Sequence, residues 1–386
     1  MATTSSCARP TSGRGIATGA LRILHTESSP GWGGQEARIL LESAALRARG
    51  HEVSVAGQPG SPLEVAARQR GVPFHPVRMR APWDGLAMAA LGRLIRREKV
   101  QVLHTHSSRD SWLAGLVGRA LRVPAIVRTR HVSIPVRGHP LNWVYRLPHR
   151  VTTTAERIRT HLIEGVGCRP DRVRVIPTGV DLEGFGDGLS GEPFRREWGL
   201  GPGTLAVGIV ANLRGSKGHS HFVEAAALLS RKRKDVRFFI VGDGPRREPI
   251  RAHIERAGMG ELIRMTGYRE DIPQVMAGLD LLVVASTRTE GIPQAALQAL
   301  AMGVPVVGTE VGGVPEAIAP SGGGLVVPAG DAAALARAME LLLSDPGRRR
   351  AMGERGRAYV REHFGLERMV EETERLYREV LAECAR

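Results

Sequence analysis

Cysteine is scarce in this sequence of 386 residues: Cys7, Cys168 and Cys384 stand far apart, with no CxxC pair and no Cys/His ligand spacing. That excludes a disulfide framework and a zinc ribbon, and it fits a reducing cytoplasm. Aromatic residues make up 4% of the chain and none are interleaved with the basic residues, which argues against a nucleic-acid stacking platform. No GxxxxGK[ST] P-loop occurs, and Gly242-x-Gly244 lacks a third glycine at the dinucleotide-binding spacing. No Asp-x-Asp pair occurs either. The uncharged stretch Gly291 to Thr309 carries two prolines, three glycines and two glutamines, so it is a poor bilayer helix and reads as buried core. Residues 1–19 have no apolar run and read as a flexible arm, not a signal peptide. No period of 20 to 50 residues repeats, which excludes a solenoid.

What is present is ordinary for a globular protein of two or three domains: 42% hydrophobic and 24% charged residues. The net charge of +15 is unevenly placed. Residues 1–180 hold 27 Lys+Arg against 11 Asp+Glu, or +16, and the remainder holds 27 against 28, or −1. A basic first half implies an anionic partner there, such as nucleic acid, an acidic membrane surface or an acidic or phosphorylated substrate.

Apolar β-branched runs alternate with helical patterns along both halves. In the first, expected strands begin near Leu21, Glu52, Pro73, Val100, Ala125, Val151 and Val173, with helices between most of them. A glycine- and acid-rich linker, Glu183 to Gly191, follows. A second series begins at Leu205 and runs through strands at Val236, Leu262, Leu281 and Val304. This double alternation predicts an α/β fold of two doubly wound parallel sheets. The divisions expected are an arm over 1–19, a first domain over 20–182, a second over 183–365, and an amphipathic helix over 366–386 that packs back on the first.

Ligands in such sheets sit at the carboxyl ends of strands. The stretch Ala285 to Gly303 places a strand, the turn Glu290-Gly-Ile292-Pro293 and an uncharged helix there. Three more loops share that sheet end: Asn212-Leu-Arg214-Gly-Ser-Lys217-Gly218, Gly242-Asp-Gly244-Pro245 and Thr266-Gly267-Tyr268-Arg269. Arg214 and Lys217 beside a helix N-terminus form a diphosphate clamp on this reading. In the first half, Gly31-Trp-Gly33-Gly34 allows close approach of a ligand to the backbone, and Glu36 follows in the first helical turn. His104, His106 and His131 fall at strand ends. Because His104 and His106 alternate along a strand they are expected on opposite faces, and with no carboxylate at ligand spacing no metal site is expected.

Glu290-Gly-Ile-Pro-Gln-Ala-Ala-Leu-Gln298, the following Ala-Leu-Ala-Met-Gly-Val-Pro-Val-Val307 and Gly312-Gly-Val-Pro-Glu316 resemble the E-x7-E region of the retaining glycosyltransferases of family four. That family has the GT-B fold, two Rossmann-like domains facing a cleft, with acceptor on the first and nucleotide-sugar donor on the second. Trp32-Gly-Gly-Gln-Glu36, His104-Thr-His-Ser-Ser108 and Arg130-His-Val-Ser133 are similar to members that build bacterial lipopolysaccharide or other envelope glycans. The resemblance implies that Glu290 contacts the donor sugar and that Arg214 and Lys217 hold the diphosphate. It implies that the Gly267–Tyr268 loop meets the base, that Asn212, Gly242, Gly244, Ile292 and Pro293 line the donor, and that Gly34 and His131 approach its reacting end. Gly33, Glu36, His106, Ser107 and Arg130 then face the acceptor. Two departures stand out: the second glutamate of E-x7-E, which binds ribose in the family, is Gln298, and an arginine common five residues before the lysine is Asn212.

The reaction so implied is retaining hexosyl transfer from a nucleotide-diphosphate sugar to an anionic glycolipid or saccharide. It needs no cofactor and no bound metal, and nucleic acid is not an expected partner. A cytoplasmic enzyme peripheral to the inner-membrane surface accounts for the charge split. Rival readings are a GT-B nucleotide-sugar epimerase, a transferase-like subunit without activity and a non-catalytic basic membrane- or nucleic-acid-binding protein.

Overall fold

The computed structural model describes residues 19–132, 140–186 and 188–385; all but the last residue of the arm expected over 1–19, and residues 133–139, lie outside them. The first half runs β1 (Arg22–Glu27), α1 (Gly34–Ala48), β2 (Glu52–Gly57), α2 (Pro62–Gln69), β3 (Phe74–Pro76), α3 (Gly85–Arg97), β4 (Val102–Thr105), α4 (Ser108–Ala120), β5 (Ala125–Arg130), β6 (Arg150–Thr153), α5 (Glu156–Val166) and β7 (Val173–Val175). The second runs α6 (Glu192–Glu197), β8 (Leu205–Val210), α7 (His219–Ser230), β9 (Val236–Val241), α8 (Arg247–Arg256), β10 (Ile263–Gly267), α9 (Ile272–Gly278), β11 (Leu281–Val284), α10 (Gln294–Ala301), β12 (Val306–Thr309), α11 (Val314–Ile318), β13 (Gly324–Val327), α12 (Ala332–Leu343), α13 (Pro346–His363) and α14 (Leu366–Cys384).

Two parallel sheets result, ordered β3-β2-β1-β4-β5-β6-β7 and β10-β9-β8-β11-β12-β13. Strands such as β11 (LLVV), apolar at every position, need both faces covered, and helices supply that cover. On one side of the second sheet, Phe222, Leu335 and Met339 pack on Val207 and Val283; on the other, Leu297, Leu300 and Ile318 pack on Leu282 and Val306. The final helix crosses back to the first sheet: Met369, Val370, Leu376, Tyr377 and Val380 are buried with Leu21, Ile23 and Val127. The two chain crossings between the halves lie side by side. Val180 bridges to Gly365, its N–H donating to the Phe364 carbonyl at 2.7 Å while Leu366 N–H donates to the Val180 carbonyl at 2.9 Å.

Candidate active site

In each sheet the strand order reverses between its first and fourth strands in chain order, β1/β4 and β8/β11. Loops leaving those strands diverge to opposite faces, so a crevice opens between them at their carboxyl ends. The first crevice is bordered by Ser28, Gly33, Gly34 and Ser107, and the second by Asn212 to Gly218 and Ala285 to Pro293. Of the expected site residues, Arg130, His131, Gly242, Gly244, Gly267 and Tyr268 lie at the ends of β5, β9 and β10, and Gln298 lies one turn into α10; the rest fall on these loops or the helix starts beside them.

On the donor side, Lys217 and Glu290 meet directly. The Lys217 ammonium donates to both carboxylate oxygens of Glu290 at 2.8 Å, and the Ser286 hydroxyl donates to one of them at 2.9 Å. Gly218 makes this possible: it has φ +68°, and a Cβ there would stand 1.8 Å from the Ala285 carbonyl oxygen, so only glycine lets β8's loop lie against β11's. No side chain caps α7 or α10, whose N-termini open beside Lys217 and Glu290. Their free N–H groups and dipoles favour an anion there. Ile292 and Pro293 are buried beneath the turn, and Gln298 is half-buried one turn into α10. Gly242 and Gly244 pack on the Ala211 carbonyl and the Asn212 side chain, shaping the loop floor, while Gly267 turns the chain into the exposed Tyr268.

The halves touch across the cleft. Asn212 Nδ2 donates to the Trp32 carbonyl at 3.2 Å, and the exposed Arg214 reaches toward Gly31. A Cβ on Gly291 would lie 2.4 Å from the His131 carbonyl oxygen and 2.7 Å from the Thr154 hydroxyl, so the turn that carries Glu290 rests on the backbone of His131. Opposite, Gly33 is the N-cap of α1 and no side chain caps that helix either; Gly34 opens its first turn with nothing within 4 Å of where a Cβ would stand. Glu36 lies 5% exposed in the same turn. Arg130 is half-buried, its Nε donating to the Val132 carbonyl at 3.1 Å.

The histidines depart from expectation. β4 stops at Thr105, so His106 no longer follows the strand's alternation, and its ring lies 4.3 Å from that of His104 instead of on the opposite face. His25 joins them: its Nδ1 is 2.9 Å from His106 Nε2, and His106 Nδ1 is 3.1 Å from His131 Nε2. His106 is therefore no acceptor contact; it stands behind His131, both ring nitrogens engaged. Ser107 likewise turns inward, its hydroxyl donating to Asp110, which in return accepts from the Ser107 N–H at 3.0 Å and closes a capping box on α4. Ligand atoms of His25, His104 and His106 do lie within 4.8 Å of one another, so the argument from opposite faces fails. Their lone pairs are nevertheless spent on each other, on Tyr377 and on Thr129, and only His25 Nε2 has no partner. Burial, then neighbouring positive groups, holds His106 and His131 well below the usual imidazole range, so both are neutral at neutral pH.

Sequence reasoning passed over three groups. Glu27 ends β1, buried, with its pKa pushed up to about 8 by burial and then by Asp110 and Glu36. Glu316 of α11 accepts from the Glu156 N–H at 2.7 Å and the Arg157 N–H at 2.9 Å, so a carboxylate of the second half caps α5 of the first. Buried Arg38 and Glu42 pair behind His104. Glu316 had no local signal, because the helix it caps is distant in the chain; Arg38 and Glu42 stand at i,i+4 spacing on α1, and what the spacing does not tell is their burial behind His104.

Comparison with known proteins follows this geometry. The model for Glycosyltransferase Family 4 matches residues 32–183, and that for Glycosyl transferases group 1 matches residues 191–359. A 2-deoxystreptamine N-acetyl-D-glucosaminyltransferase of Streptomyces fradiae is 31% identical over 82% of this chain and 84% of its own. A 2-deoxystreptamine glucosyltransferase of Streptomyces kanamyceticus is 28% identical over 86% and 95%. Among solved structures, the Anabaena HepE protein in complex with UDP-glucose superposes with a TM-score of 0.83 at 19% identity, over 94% of this chain and all of that one (100%).

Proposed function

The chain belongs to glycosyltransferase family 4 and is a glycosyltransferase of GT-B fold, and from that membership we propose that it moves a hexose from a nucleotide-diphosphate sugar, with retention and without a bound metal. The acceptor is a saccharide or glycolipid of the cell envelope, held by the basic first half. The observation that carries this is the Lys217–Glu290 pair beneath the uncapped starts of α7 and α10, facing His131 and the start of α1.

When a donor enters, its diphosphate competes with Glu290 for the Lys217 ammonium. Exchange of that partner frees Glu290 to accept hydrogen bonds from sugar hydroxyls. The charge that grows on the departing diphosphate is met by Lys217, Arg214 and the helix N-termini, which stand in for a cation. Glu290 is turned toward Lys217 and Ser286, which suits recognition and not nucleophilic attack. Attack by the acceptor on the leaving-group face, assisted by a phosphate oxygen, then gives retention. Among the described residues no helix is long and apolar enough to cross a membrane, and attachment to the inner membrane's cytoplasmic face would be peripheral, through charge.

The test is transfer from a panel of uridine and guanosine diphosphate sugars in chelator, with the product's anomeric configuration read by NMR. An inverted product, or activity that requires added divalent metal, overturns the reading; free epimerised sugar nucleotide without acceptor would assign the rival epimerase. A second reading of the acceptor rests on relatives: two are transferases for 2-deoxystreptamine by name. 2-Deoxystreptamine therefore belongs in the same panel as a lipopolysaccharide-core saccharide.

A further inference from the structure

At the amino ends of the strands of the first sheet, away from the cleft, a group of donors converges without an acceptor. His149 leads into β6, and its Nδ1 accepts from the Ile126 backbone N–H at 2.9 Å. A backbone N–H can only donate, so Nδ1 is bare and the neutral ring carries its proton on Nε2. Yet Nε2 lies 2.7 Å from Arg119 Nη1, and a guanidinium also only donates. The contact sets N–H against N–H. Arg119 is held there by its Nε, which donates to the Leu147 carbonyl at 2.6 Å. Protonating the ring would deepen the conflict: burial, then Arg119, Arg172 and Arg150, already lower His149 to about 4.

His149 and Arg172 open on a cavity of about 620 Å³ whose wall includes Arg146, Arg150 and Arg169. Two of these arginines are neutralised, Arg150 by Glu383 and Arg169 by Asp171. Arg146 and Arg172 have no carboxylate partner among the described residues. Behind the wall the buried Arg128 lies 4.1 Å over the Tyr145 ring, with Nε and Nη1 unpartnered.

We propose that this cavity is a second, phosphate-binding site, separate from the transfer cleft, in which one phosphate oxygen accepts from Arg119 Nη1 and His149 Nε2 together and Arg172 engages another. An oxygen at hydrogen-bond distance from both nitrogens closes a triangle on their 2.7 Å separation. Converging guanidinium forks suit a tetrahedral dianion with several oxygens better than a carboxylate. The site cannot hold the diphosphate that leaves during transfer, because the cleft lies at the opposite ends of the same strands. A soluble phosphate and a phospholipid headgroup present the same chemistry.

The experiment measures binding of inorganic phosphate to the full chain by calorimetry, with UDP saturating the cleft, and flotation with phosphatidylcholine vesicles with and without phosphatidic acid. Phosphate binding that weakens about tenfold in Arg172→Gln, and further in Arg119→Gln, supports the site; retained UDP binding shows that these variants are folded. Binding to phosphatidic acid vesicles alone, lost in the same variants, assigns the headgroup as the source. Arg172→Gln tests the site even if Arg119→Gln fails to fold, since Arg172 is exposed. Affinity unchanged in Arg172→Gln, or no binding in either arm, overturns the proposal.

Discussion

The Lys217 ammonium sits 2.8 Å from each carboxylate oxygen of Glu290, so the two residues expected to grip different parts of the donor grip each other. Each then depends on the other for its position. Lys217→Ala and Glu290→Ala are both expected to lower kcat/KM by about 10²- to 10³-fold, the scale of losing a charge-stabilising group at a leaving centre. Thermal unfolding should move little, since Lys217 is partly exposed and the Thr287 N–H, donating to the Ser216 carbonyl at 2.9 Å, still ties the two loops together in either variant. Steady-state kinetics beside a melting curve checks this; near-wild-type turnover in either variant would remove the pair from the site.

Gln298 offers ribose a neutral amide. Gln298→Glu restores a charged acceptor and is expected to tighten UDP binding by about three- to tenfold, the difference between a neutral and a charge-assisted hydrogen bond. Calorimetric titration with UDP reads it directly, and weaker binding would show that Gln298 has another task.

The nearest neighbours of a Cβ on Gly291 are atoms of the opposite half, the His131 carbonyl and the Thr154 hydroxyl. Gly291→Ala is therefore expected to hold the cleft ajar and lower kcat by about 10²-fold through misplacement of His131 against Glu290. The halves can part to relieve the clash, so unfolding free energy should change by under about 1 kcal/mol. A large fall in stability with normal kcat would contradict this.

Stability should decline on both sides of an optimum. Glu27 has its folded pKa raised from 4.5 to about 8, so its contribution is full below about 4.5 and is lost as pH rises through about 8. His25 is lowered from 6.5 to about 3, so its contribution is present above about 6.5 and is lost as pH falls toward about 3. Glu27→Gln should flatten the alkaline limb of a Tm-against-pH profile and leave the acid limb. An unchanged alkaline limb would show that Glu27 is ionised in the folded protein.

The alternation of β-branched runs and helices made both sheets legible, and the loops after β8 and β11 could be placed at one sheet end from the sequence. What escaped has physical causes. α13 packs through glycines as much as through apolar side chains: beside the buried Met352 and Val360, a Cβ on Gly353 would stand 1.9 Å from the Gly303 carbonyl, and Gly356 lies against Gly323. Hydrophobic periodicity cannot register such a helix. β13 is a four-residue edge strand behind two glycines, and α6 is a six-residue helix on the linker's edge. The histidine cluster was misread because alternation was carried one residue beyond the end of β4. Glu316 could not be read as a cap, because the helix it caps lies on the other side of the cleft.

The bridge from Val180 to Gly365 makes the second half, in topological terms, an insertion into the first, entered and left at one seam. A fragment ending at 182 would lack Leu376, Tyr377 and Val380, and Leu21, Ile23 and Val127 would be laid open. Excising the inserted segment and splicing its ends at the seam would instead return α14 to its groove. The same seam gives any opening of the cleft a single axle, since both connecting strands of backbone must bend there together.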